Sequence, residues 1–221
     1  MKKGKKDLRD TFLSLVPQEV KKVLDVGCAK GDLGAKLKQR KIEVIGIEKN
    51  KDLCAEAHRK LDRAYLMDAE KLEIPYPNGY FDCILYADVI EHLCDPLTAL
   101  KNQKKYLKEG GYVVASIPNI RYYKVIIRLL FGGTWDYAKS GILDKGHLRF
   151  FTLLNIKELF TKAGFEIIDI RRNIIAATGF KILNALCFNN LKDLLTYQFY
   201  IVAIHSPGQK IPIKERKVYQ F

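Results

Sequence analysis

The stretch Val23-Leu24-Asp25-Val26-Gly27-Cys28-Ala29-Lys30-Gly31 constrains this chain more than any other. An apolar run holds one acid near its end, breaks into a glycine-rich turn, and is followed by Leu33 and Leu37 at helical spacing. This pattern predicts a strand–loop–helix unit whose loop lets backbone N–H groups come close to a ligand. A dinucleotide site would open its helix with G-x-G-x-x-G. The nearest register, Ala29-x-Gly31-x-x-Gly34, has alanine in the first position. Its strand also carries Asp25, a charge of no use to a pyrophosphate and better suited to a cationic ligand.

The same punctuation recurs downstream. Glu43–Glu48 reads as a second strand, buried on both faces and ending in an acid that can accept both hydroxyls of a ribose. Ala64-Tyr-Leu-Met-Asp68-Ala69 puts an Asp after a third short strand, and Tyr80–Ala87 is a fourth that stops in the loop Asp88-Val-Ile-Glu91-His92. Gly110-Gly111 open a fifth strand that runs to Pro118. Helices are predicted over about Asp7–Val16, broken by Pro17; from Gly31 to about Gln39; and from an Asn50 cap to about Leu61. Another starts at an Asp95 cap with Pro96 in its first turn and ends at Gly110-Gly111. Alternation of this kind means a doubly wound α/β sheet, mainly parallel, with its ligand site at the carboxyl ends of the strands.

With these residues in this order, about residues 20–205 resemble a class I S-adenosylmethionine-dependent methyltransferase. The resemblance implies one Rossmann-like domain with a seven-stranded sheet, a C-terminal antiparallel hairpin, and S-adenosylmethionine as cofactor. In it, Gly27, Cys28 and Gly31 form the turn under the methionine and ribose. Asp25 orients that turn and, through water, the ligand's amino group, and Glu48 binds the ribose hydroxyls. Asp68 accepts the adenine amine with the Ala69 N–H at a ring nitrogen, and Asp88 lies beside the methionine. Ala29 stands where the family usually has glycine; alanine fits there if its φ is below zero, and a small adjustment of the turn is expected rather than lost binding.

Residues 120–152 form an insertion after the fifth strand, too long for an ordinary connection. Its segment Arg121–Phe131 is apolar with spaced basic residues, suited to a lid, to core packing, or to resting on a membrane surface. Trp135 is read as a packing anchor before a sugar-stacking face. Next come Asp144–Thr152, with His147 and Arg149, and a helix over Leu153–Gly164. Phe165–Ile170 and Tyr197–Ile204 read as the hairpin strands, and Ala177–Leu195 as helical, suited to substrate cover or a dimer surface. Glu91-His92 paired with His147-x-Arg149 resembles a subset that methylates hydroxyls of sugars and small molecules, often in surface polysaccharide synthesis. A hydroxyl is a poor nucleophile and calls for a general base, for which His92 and His147 are the candidates. Asp88, Glu91 and His92 are also metal-ligand types, but D-x-x-E-H equally suits a capped helix turn, so no metal is assigned.

Composition narrows the context. The 221 residues, 48% of them hydrophobic, suffice for one domain with a sizeable core. The five cysteines form no C-x-x-C pair, which suits reduced thiols. Met-Lys-Lys-Gly-Lys-Lys lacks the apolar region of a signal peptide, and no run approaches the ~20 apolar residues of a membrane span. A soluble cytoplasmic enzyme is expected. The net charge of +13, dense at Lys2–Arg9, Lys101–Lys108 and Lys210–Lys217 in the basic tail 206–221, reads first as a solvated surface. Contact with nucleic acid or with an anionic membrane or lipid-linked acceptor is the alternative. A methyltransferase acting on RNA is therefore a rival reading, although the loop Ala87-Asp-Val-Ile-Glu91 lacks the Pro-Pro-aromatic pattern of amine-directed enzymes. A non-catalytic cofactor-binding subunit is the other rival, and oligomeric state is left open.

Overall fold

A computed structural model describes residues 10–176, 178–188 and 190–205. The start of the N-terminal helix, the basic run Lys2–Arg9 and the tail 206–221 lie outside them. Residues 10–13 are helical, and Phe12, Leu15 and Val16 are buried against the sheet beyond them.

Seven strands form one sheet: β1 (Lys22–Val26), β2 (Glu43–Glu48), β3 (Arg63–Leu66), β4 (Phe81–Ala87), β5 (Leu107–Pro118), β6 (Phe165–Ile174) and β7 (Thr196–His205). Their order is β3-β2-β1-β4-β5-β7-β6. The first five are parallel, while β7 runs antiparallel between β5 and β6. Strand β1 pairs with β2 on one side and β4 on the other, so the chain reverses its direction of winding there. Such a switch point opens a crevice at the carboxyl ends of the two central strands.

Burial explains the apolar runs. Val23, Leu24, Ile45, Ile84 and Leu85 are fully buried, as a parallel sheet covered by helices on both faces requires. The covering helices begin where their sequences predict. Helix α1 (Asp32–Lys38) follows Gly31, and α2 (Lys51–His58) is capped by Asn50, whose side chain accepts from the N–H groups of Asp52 and Leu53. Helix α3 (Pro96–Gln103) starts with Pro96 and an Asp95 cap on the Thr98 N–H. Each such cap stabilises by about 1 kcal/mol.

The end of α3 differs from expectation. The helix stops at Gln103, a single 3₁₀ turn covers Lys104–Tyr106, and β5 already begins at Leu107. Gly110 and Gly111 therefore lie inside the strand. Pairing slips between Phe81↔Leu107 and Cys83↔Tyr112, and Gly110 at φ +69° absorbs the extra residues as a bulge.

Helix α4 (Tyr123–Gly132) lies in the insertion and buries only Val125, against a small cluster with Tyr122, Ile142 and Leu143. Ile126, Ile127, Leu129, Leu130 and Phe131 stay exposed, Phe131 at 80%. The helix is thus no part of the central core. Helix α5 (Leu153–Lys162) carries a capping box between Thr152 and Asn155 and packs Ile156 and Phe160 into the core. Helices α6 (Thr178–Leu186) and α7 (Lys192–Leu195) lie between β6 and β7. Among the described residues no helix is long and apolar enough to cross a membrane.

Candidate active site

The loop after β1 is built from alternating left-handed residues: Gly27 at φ +68°, Ala29 at +48° and Gly31 at +74°. At Gly27 the reason is steric as well, since a Cβ would meet Val89 Cγ2 at 2.7 Å. The φ at Ala29 is positive, so the condition under which alanine would fit without strain is not met. The cause of the positive φ is the bond it allows: the Ala29 N–H turns back to Glu48 Oε2 at 3.0 Å. The left-handed conformation costs a non-glycine residue about 1–2 kcal/mol. Glu48 also accepts from the Asn50 N–H through Oε1 at 2.8 Å, so one buried carboxylate ties the first loop to the second. Each oxygen keeps a second lone pair for a ligand.

Two lobes of a cavity flank this loop. The first, about 470 Å³, is bordered by Asp25, Gly27, Cys28, Ala29, Asp88 and Ser116. The second, about 390 Å³, is bordered by Gly27, Glu48, Asp68, Ala69, Asp88 and His92. They meet at Gly27 and Asp88, which directly follow β1 and β4 at the switch point. Every residue expected to hold the cofactor borders one lobe or both except Gly31, which shapes the turn from beneath.

Charge in this cavity follows burial. Asp25 is 1% exposed, and loss of water, followed by the nearby Glu48, raises its pKa to about 7. Its Oδ2 has no hydrogen-bond partner among the described residues. The Asp25 side chain borders the first lobe, where a carboxylate would suit a cationic amine. Cys28 is driven well above the usual thiol range, first by desolvation and then by Asp25 and Glu48, so it is a packed thiol and no nucleophile. Asp68 caps a 3₁₀ turn over Ala69–Lys71 by accepting the Glu70 N–H at 2.9 Å. Gln103 holds the Ala69 carbonyl at 2.6 Å, which fixes that peptide in the wall of the second lobe.

Asp88 sits at φ +57° and is held from two strands the loop motif does not reveal. Ser116 of β5 donates to its Oδ1 at 3.0 Å and accepts from its backbone N–H, while Gln198 of β7 donates to the same Oδ1. Burial raises the Asp88 pKa against those two donors. Ser116 and Gln198 both border the first lobe and were not found from sequence. The available signal was a lone amide in an otherwise apolar, strand-like run.

The two histidines come together although they are far apart in the chain. Their ring centroids are 4.7 Å apart, edge to face. His92 Nδ1 lies 2.8 Å from the Gly146 carbonyl, and His147 Nδ1 lies 2.9 Å from the Ile142 carbonyl. A carbonyl only accepts, so each Nδ1 is the donor, and in the neutral ring Nε2 is the nitrogen left to accept. The Glu91 carbonyl accepts the N–H groups of Leu148 and Arg149 at 2.9 and 3.0 Å, strapping the insertion onto the β4 loop. Leu148 thereby borders the second lobe. Trp135 meets Phe150 edge-on with centroids 5.2 Å apart and remains 36% exposed.

Comparison with known proteins agrees with this geometry. The profile of a family described as methyltransferase domain matches residues 2–170. A ubiquinone biosynthesis O-methyltransferase of Acinetobacter baylyi is 30% identical over 134 residues, 54% of this chain and 56% of that protein. The counterpart of the same name from Psychrobacter arcticus is 30% identical over 166 residues, covering 68% and 61%. The chain thus spans roughly half the length of such curated relatives, 42% in an uncharacterized methyltransferase of Schizosaccharomyces pombe. In fold, it superposes on an S-adenosylmethionine-dependent methyltransferase of Archaeoglobus fulgidus with a TM-score of 0.67 at 18% identity, covering 90% and 93% of the two chains.

Proposed function

The chain belongs to the family of S-adenosylmethionine-dependent methyltransferase domains, and from that premise we propose that it methylates a hydroxyl of a small molecule or a sugar. The observation that carries this is the His92–His147 pair, two imidazoles set edge to face with His92 in the wall of the second lobe. S-adenosylmethionine, when bound, supplies a methyl group already made electrophilic by a sulfonium. The protein is left to align the acceptor and remove its proton. For a hydroxyl that removal is the harder part, and a positioned base contributes ~10²–10⁴-fold.

Residue by residue, Asp25 and Gly27 would take the amino-acid end of the cofactor, Glu48 the ribose, and Asp68 with Ala69 the base. Asp88, clamped by Ser116 and Gln198, would hold the floor between the two lobes. The names of the ubiquinone biosynthesis O-methyltransferases support oxygen as the methylated atom. A saccharide acceptor, free or lipid-linked, is supported by the Gly-Thr-Trp-Asp-Tyr and His-Leu-Arg-Phe-Phe-Thr wording of the insertion. The exposed apolar face of α4 would suit the lipid-linked form. A cytoplasmic setting is supported by cysteines that are free among the described residues.

The test is incubation of the enzyme and S-adenosylmethionine carrying a radioactive methyl group with extract from its source cells, followed by fractionation. Label in a saccharide or glycolipid fraction, lost in His92→Ala or His147→Ala, is the expected result. Label removed by ribonuclease would replace this reading with an RNA methyltransferase, and no label in any fraction would favour a non-catalytic subunit.

A further inference from the structure

We propose that Glu91, His92 and His147 form a binding site for one divalent transition-metal cation at the edge of the second lobe. One ligand atom from each of the three lies within 4.8 Å of the others. Local pattern alone offers Glu91 and His92, a pair that a capped turn explains equally well. The fold adds His147 from the insertion, and the strap through the Glu91 carbonyl holds it there.

The carboxylate points to a missing partner. Glu91 is 1% exposed, and neither of its side-chain oxygens has a hydrogen-bond partner among the described residues. A buried carboxyl left this way costs free energy, which proteins offset by neutralising the group or by pairing it with a cation or a metal. His147 does not discharge that role, because its Nε2 stands 3.9 Å from Glu91 Oε1, beyond hydrogen-bond length.

The imidazoles are set as ligands are set. Both Nδ1 atoms are fixed on backbone carbonyls, the outer-shell arrangement that orients a metal-binding histidine and leaves Nε2 for the ion. Two imidazoles and one carboxylate suit zinc, manganese, iron or cobalt, whereas calcium and magnesium prefer oxygen throughout. Three protein ligands leave coordination positions open, and His92 sets the site at the wall of the second lobe.

This inference rests on reading the histidine pair as the group that activates a hydroxyl, and it changes how the pair acts. Lone pairs given to a cation cannot take a proton. The cation would instead lower the pKa of a hydroxyl bound at an open position, and the proton would leave to water.

The full chain, stripped with a chelator, would be titrated with Mn²⁺ followed by electron paramagnetic resonance and with Zn²⁺ followed by calorimetry. The expected result is one equivalent bound. Glu91→Gln and His147→Gln should each weaken it at least about tenfold, with circular dichroism confirming that the variants fold. Nitrogen coupling to Mn²⁺ bound by the unaltered chain reports imidazole ligation without any variant. No stoichiometric site for either cation, no nitrogen coupling, or unchanged affinity in folded variants would overturn the proposal. Full metal-free turnover that still needs His147 would remove the metal site and leave the methyl transfer. A bound cation with no hydroxyl methylated would do the reverse.

Discussion

The loops after β1, β2 and β3 and the insertion at residues 120–152 both border the cavity, yet they are built differently. The first group is local: each functional residue ends a strand or opens the next helix, and Glu48 ties neighbouring loops through backbone N–H groups. The insertion is held by distant partners: Glu91 takes Leu148 and Arg149, and Gly146 takes His92. A cofactor common to many proteins can be held by a repeated local device, whereas the acceptor side is assembled from parts that meet only in the fold. The apolar face of α4, with Leu130 and Phe131 exposed, belongs to the insertion.

Variants separate the two halves by what they disturb. The largest effect is expected at the histidines, where His92→Ala or His147→Ala lowers turnover ~10²–10⁴-fold while S-adenosylhomocysteine affinity measured by calorimetry holds. Equal losses of both would mean that the pair supports the cofactor loops. Next is Asp25→Asn, which removes a charge-assisted bond to the ligand's ammonium and weakens S-adenosylhomocysteine binding at least about tenfold at pH 8.

The pH dependence of that effect follows from Asp25. Because its folded pKa, about 7, lies above the unfolded carboxylate value, the folded chain binds the proton more tightly. Stability of the ligand-free protein therefore falls as pH rises from about 4 towards 7. Cofactor affinity should change in the opposite sense, rising through pH 7 as the carboxylate ionises. Thermal melts and calorimetry across this range check both slopes, and Asp25→Asn should flatten them.

Smaller effects are expected from the backbone. Ala29→Gly relieves a left-handed alanine at some cost in unfolded-chain entropy, for a net gain of about 0.5–1 kcal/mol in a denaturant titration. Smallest is Phe131→Ser on α4, which should leave stability within about 0.5 kcal/mol because the ring is 80% exposed. If α4 handles the acceptor, the same variant raises the acceptor KM and leaves cofactor affinity alone.

What could be read from sequence follows the same division. The bounds of β1 and β2, the Asn50 and Asp95 caps and the cofactor-side acids rest on residues a few positions apart, where hydrophobic period and cap chemistry are decisive. Gly110-Gly111 misled because a glycine pair marks a bulge as readily as a strand start. The sign of φ at Ala29 depended on Glu48 reaching back to its N–H, a contact between two loops. Ser116 and Gln198 became visible only when β5 and β7 proved to be neighbours. His147 was recognisable as a candidate, but its approach to Glu91 belongs to the fold of the insertion.

The most direct measurement is a crystal structure of the chain with S-adenosylhomocysteine bound. The expected result places the amino-acid end against Asp25 and Gly27, the ribose on Glu48, the adenine between Asp68 and Ala69, and the sulfur facing the side of the cavity that holds His92 and His147. Adenine in the first lobe, or a sulfur turned away from the histidines, would contradict both the cofactor assignment and the activation of a hydroxyl at this site.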